Sequence, residues 1–109
     1  MSATKTPIIR RNTDAAIREV AARHVVEGLV SLETAETVMD AALPIIAPAV
    51  KKMRINGRSH DEINAYFAEK VATAKTPLAR LAAEIYAAAA AGMQADLREM
   101  GYDVLRQNI

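Results

Sequence analysis

Two histidines, three serines and thirteen carboxylates are the residues of this chain that could do acid–base, nucleophilic or metal chemistry. His24 and His60 do not fall into an HxxxH or HExxH spacing, so they do not form the helical pair that holds zinc. His24 lies on an apolar stripe with Ile17, Val20, Ala21 and Val25, which predicts a buried structural histidine. His60 stands beside Asp61 and Glu62, a grouping that invites a metal or acid–base role. All three follow Ser59, however, in the first turn of a helix, where carboxylates are favoured by the helix dipole alone. Ser2 lies in a terminal arm, and Ser31 and Ser59 sit where helices start, so none reads as an activated nucleophile. The four glycines are isolated and make no phosphate loop. Cysteine is absent, which excludes disulfides, thiolate zinc sites and cysteine nucleophiles together. The expectation is a protein that is not an enzyme, with no catalytic residue, no metal and no cofactor.

Charge placement says more than net charge, which is only +1 over 109 residues. That balance disfavours a protein whose main work is coating nucleic acid. From His24 to Val50 there are four acids (Glu27, Glu33, Glu36 and Asp40) and no Lys or Arg. Lys51, Lys52, Arg54 and Arg58 then follow with no acid among them. Such a knob can grip an acidic protein surface or a short run of phosphates. It can also be explained by the C-terminal dipole of a helix. Arg10 and Arg11, with Lys5, make a second positive element in an arm spanning residues 1–12. Ile8 and Ile9 in that arm are two large apolar residues in need of a surface.

The elements that must position these groups are helical. Hydrophobic residues make up 51% and aromatics only 4%, so the core must be built of Ala, Ile, Leu, Val and Met, a composition that suits close helix packing. Asn12 or Thr13 is placed to cap a first helix. Ser31 or Leu32 opens a second, with Leu32, Ala35, Met39, Ala42, Leu43 and Ile46 on one face. Pro44 and Pro48 predict a break or sharp kink near residues 43–48 and a separate short helix from Pro48 to Ile55. Asn56-Gly57 reads as a stop, and Ser59-His60-Asp61-Glu62 as a capping box. Thr76-Pro77 starts a long helix through Leu81, Ile85, Ala89, Met93 and Leu97, with Gly101 closing it and Tyr102 folding back on the cap. Gly28 either ends a helix or admits a close neighbour.

The expected fold is therefore all-α: a compact bundle of four to five helices, with a proline-broken second helix and a long alanine-rich C-terminal helix. Residues 13–109 would form one helical domain. Residues 1–11 lack a signal-peptide apolar region, and no run is long enough for a bilayer span, so a cytoplasmic protein is expected. Ala88/Gly92 and Ala83/Ala87/Ala91 make the last helix thin, good for packing inside the bundle and open to a homodimer contact on its other side. Tyr66 and Phe67 are expected in the core, and Tyr86 at the surface as an anchor. These features point to a protein-binding module docking on a larger protein or complex through Lys51, Lys52, Arg54, Arg58, Arg10, Arg11 and Tyr86. By analogy of format alone, small inhibitors and adaptors of phages and mobile elements, such as anti-CRISPR and anti-restriction proteins, look like this. A nucleic-acid-binding protein using the Lys51–Arg58 cluster, or a homodimeric assembly protein, are the alternatives.

Overall fold

The structure, a computed structural model, describes residues 11–100. Among the described residues there are four α-helices and no strand: α1 (Arg11–Val26), α2 (Leu32–Ile55), α3 (His60–Thr73) and α4 (Pro77–Glu99). The predicted punctuation sets most of the boundaries. Ser31 caps α2 by accepting from the Thr34 amide at 3.1 Å. At α3 the full capping box is present: the Glu62 amide donates to Ser59 Oγ at 3.1 Å and the Ser59 amide to Glu62 Oε1 at 2.8 Å. Thr76 Oγ1 accepts from the Ala79 amide at 3.1 Å, with Pro77 at the first helical position.

Both Gly28 and Gly57 terminate helices. Their φ values are +75° and +85°, the left-handed conformation that glycine adopts without Cβ strain. Around each, the glycine amide donates to a carbonyl three residues back and the next amide to one five residues back (Gly28 to Val25 and Leu29 to His24; Gly57 to Arg54 and Arg58 to Met53). This is the Schellman arrangement, and it satisfies carbonyls that the helix end would leave open. A Cβ added at Gly28 would meet nothing within 4 Å, so the glycine is there for the turn and not for a close contact.

α2 departs from expectation. It runs as one uninterrupted helix of 24 residues, about 36 Å long, with Pro44 and Pro48 inside it, and the separate helix from Pro48 does not exist. Each proline removes one backbone donor, and so strips a partner from the carbonyl four residues earlier. Asp40, Pro44 and Pro48 are all exposed and spaced by four, so these losses fall on one outward face, where water can replace the missing bonds. On the opposite side Ala42, Ile46 and Val50 are buried and hold the helix down before, between and after the prolines. Core burial outweighs the local penalty.

α4 is the hub, packing against each of the other three helices. α1 and α3 both run antiparallel to it: Thr13 meets Asp96 and His24 meets Glu84 on one side, while Asn64 meets Gln94 on the other. The C-terminal half of α2 also packs on α4, with grooves on either side of the contact. The alanine run allows this crowding, with Ala89 and Ala90 fully buried. The molecule measures only 17 Å along its shortest principal axis. That is two helix layers at most, given a Cα radius of about 2.3 Å and axes about 8–10 Å apart. Among the described residues no helix is long and apolar enough to cross a membrane.

Candidate functional site

The cations of the predicted knob share one end of the molecule. Lys51 and Lys52 are exposed on the last turns of α2, Arg54 is half-buried in the same stretch, and Arg58 is exposed in the turn to α3. The acids Glu33, Glu36 and Asp40 are exposed on the first half of α2. One helix thus carries acids toward its N-terminus and bases toward its C-terminus, the order its dipole favours. Arg58 has an acidic neighbour. The Ser59 amide, then the Ser59 hydroxyl, hold the Glu62 carboxyl below the usual carboxylate range against slight desolvation, and Arg58 adds a smaller pull.

Apolar surface lies on both sides of the knob. Ile55, the last residue of α2, is 72% exposed. With Val50, Met93 and Leu97 it lines a groove of 480 Å³ between α2 and the C-terminal half of α4, rimmed by Lys51 and Arg54. On the other side of α2, Ile45, Met53 and Phe67 wall a groove of 490 Å³ whose floor is Ala79, Ala82 and Ala83 of α4. Tyr66 and Tyr86 line this second groove together with Lys70, whose Nζ sits 5.1 Å from the Tyr66 ring centroid.

Two aromatic expectations need correction. Tyr66 is 41% exposed, not core, whereas Tyr86 is partly buried against the core cluster and faces the groove. The reason is register: α3 buries only the Ile63–Phe67 stripe against α4, and Tyr66 falls a step off it. Phe67 is buried as expected and meets the Tyr66 ring edge-on at 5.1 Å. Arg11 belongs to α1 and donates to Glu99 at 2.7 Å, so it joins α1 to α4. Arg10, with Lys5, Ile8 and Ile9, and the expected closure by Gly101 and Tyr102 lie outside the described residues.

His24 is buried as predicted, at 2% exposure. Its Nε2 lies 3.1 Å from Glu84 Oε1, which Arg23 also pairs with. Desolvation works to raise the Glu84 carboxyl, but the bonds and charges of His24 and Arg23 outweigh it and leave the group below its ordinary value. His24 Nδ1 is buried without a hydrogen bond. The histidine ring is sealed in the α1–α4 seam, and its contact with Glu84 clamps the two helices. His60 sits in the first turn of α3 with Asp61, outside any grouping of three or more metal-ligating residues among the described residues.

The most connected polar site was not foreseen. Asp96 is buried and takes over the capping that Asn12 or Thr13 was expected to do. Its Oδ1 accepts from the Asn12 amide at 3.0 Å and from Asn12 Nδ2 at 2.9 Å. Its Oδ2 accepts from the Thr13 amide at 3.1 Å and from Thr13 Oγ1 at 2.6 Å. A carboxylate of α4 therefore satisfies amides at the start of α1. Burial works to raise the Asp96 carboxyl, but the Thr13 hydroxyl and the amides of Asn12 and Thr13 prevail and hold it low. One turn earlier, a Cβ on Gly92 would meet Thr13 Cα at 2.6 Å, so only glycine lets the α1 backbone sit there. A signal existed in the sequence: Gly92 and Asp96 continue the Leu81–Ile85–Ala89 stripe, and an acid on an apolar stripe needs a partner.

No family model matches the chain, and no curated protein and no solved structure is similar to it at a significant level.

Proposed function

We propose that the protein is a non-enzymatic binding module whose partner is another protein, docked at the C-terminal end of α2. The observation that carries this reading is the pairing of exposed Ile55 and its groove with Lys51 and Lys52 on the same helix end. Apolar surface ringed by charge is how protein interfaces are built, with burial supplying affinity and the rim supplying orientation. A phosphate backbone would gain little from the apolar floor. It would also meet Asp61 and the ionised Glu62 beside Arg58. A small inhibitor or adaptor that works by occupying a surface fits this design.

The test is affinity capture from the native host, followed by measured affinities of variants for the captured protein. Ile55→Asp and the double reversal Lys51→Glu/Lys52→Glu are each expected to weaken binding by about tenfold or more without changing the fold. Unchanged affinity in both variants rejects the surface. Salt-dependent binding to duplex or single-stranded DNA that vanishes on reversing Lys51, Lys52 and Arg54 replaces this reading with nucleic-acid binding.

A further inference from the structure

The groove across α2 from Ile55 is walled by three helices and carries a single cation, Lys70. Ile45 and Met53 of α2, Phe67 of α3 and the alanine floor of α4 surround 490 Å³, inside the range of about 300–1,000 Å³ of small-molecule sites. We infer that this groove binds a medium-chain aliphatic monocarboxylate, its chain along the alanine floor and its carboxylate on Lys70.

The apolar half of the argument is volume and access. Alanine at positions 79, 82 and 83 leaves space that a larger side chain would fill. Ile45 is 49% exposed, and the unbranched Met53 can adapt its shape to whatever enters. The polar half is charge. Lys70 is exposed, yet its Nζ is held 5.1 Å from the Tyr66 ring centroid, at the wall of the groove. Among the described residues no carboxylate pairs with Lys70, and no Asp or Glu lines the groove. Tyr66 and Tyr86 bring two phenol donors to the same lining. One positive charge and two hydroxyls in an otherwise apolar trough complement one carboxylate on an apolar body. A dianionic phosphate would call for further cations or backbone amides, which this lining lacks.

The layout gives the ligand a direction. Lys70 is in the last turn of α3 and Ala79 in the first turn of α4, so the charge stands at one end of the floor. Tyr86 lies two turns further along α4, about 10 Å at 1.5 Å per residue. An extended peptide laid there would set its own amides and carbonyls over alanine side chains with nothing to bond, a cost that an alkyl chain does not meet. Lys51, Lys52 and Ile55 take no part in this site, so it stands apart from protein docking at the end of α2.

The experiment is titration of the full-length protein with hexanoate, octanoate and decanoate below their micelle concentrations, followed by calorimetry and methyl NMR. Saturable one-to-one binding is expected, with shifts at Ile45, Met53, Ala79 and Ala82. The dissociation constant should fall by about twofold to fourfold for each added methylene. Lys70→Gln should weaken decanoate by about threefold to fivefold and leave decanol unaffected. Ala79→Leu, at an exposed position, should obstruct the chain and weaken all three acids. No saturable binding of decanoate overturns the inference, as does decanol binding the parent protein as tightly as decanoate. Shifts of the same methyls on concentrating the protein alone overturn it in favour of a second copy. Shifts confined to Val50, Met93 and Leu97 overturn it by placing the acid in the other groove.

Discussion

At the scale of single residues, the fold turns on a joint that uses one carboxylate and one missing side chain. Asp96 satisfies amides of Asn12 and Thr13, and Gly92 makes room for the backbone that carries them. Asp96→Asn keeps the shape but loses the charge, and one of its two acceptors becomes a donor facing other donors. Hydrogen bonds to a buried charge are worth about 1.5–3 kcal/mol each, so a loss of about 2–3 kcal/mol in urea unfolding is expected. The pH dependence follows from the direction of the shift. The native carboxyl titrates below its unfolded value, so its stabilisation is complete above the ordinary Asp range and is lost as pH falls through the native value. Glu84 acts in the same sense. Stability measured down the acid limb should therefore fall less steeply in Asp96→Asn than in the parent. Gly92→Ala gains helix propensity of about 1 kcal/mol, but the new methyl overlaps backbone that cannot swing aside. A net loss of about 1–3 kcal/mol is expected, and an unchanged melting temperature would show that the α1 N-terminus is not seated there.

At the scale of elements, caps and prolines make opposite predictions. Ser59→Ala removes half of the capping box at α3 and should cost about 1 kcal/mol, read as a lowered urea midpoint with unchanged m-value. Pro44→Ala should do the reverse. Pro44 is exposed within a continuous helix, and alanine restores the donor to the Asp40 carbonyl. The intrinsic difference of about 3 kcal/mol in favour of alanine is offset by the freedom proline removes from the unfolded chain. A net gain of about 1–2 kcal/mol is expected, and a loss would mean that the proline geometry is needed for packing on α4. The capping box, the Thr-Pro start and the Asn-Gly stop were legible because each is a local rule written in neighbouring residues. The continuity of α2 was not, because it depends on Ala42, Ile46 and Val50 being held against another helix.

At the scale of the molecule, α4 carries the core and the other helices lean on it. Ile85, Ala89 and Ala90 are fully buried at the centre, whereas α3 contributes only Ile63 and Phe67 to the buried set. Native-state hydrogen exchange should accordingly show the amides from Ile85 to Gly92 opening only with global unfolding, while α3 opens at lower cost. Equal protection in α3 and α4 would contradict this order. The flat, two-layer shape also leaves grooves on both sides of α2, so the surface offers apolar area next to charge. The basic knob was visible as a run of four cations; the grooves beside it were not, since their walls come from helices that are distant in sequence.

What the sequence determined by itself was the helical class, the starts of α2, α3 and α4, the stop at Asn56-Gly57, much of the stripes that became the core, the buried state of His24 and the clustering of charge. All of these rest on short-range periodicity or on neighbouring residues, where 3.6 residues per turn and cap chemistry suffice. Only the tertiary structure decided that Tyr86 is partly buried and Tyr66 exposed along one groove, that Asp96 caps a helix more than eighty residues away, and that two prolines leave α2 unbroken. Each of these depends on which helix packs against which, and at what register, and contacts between distant stretches are set by the burial of the whole molecule.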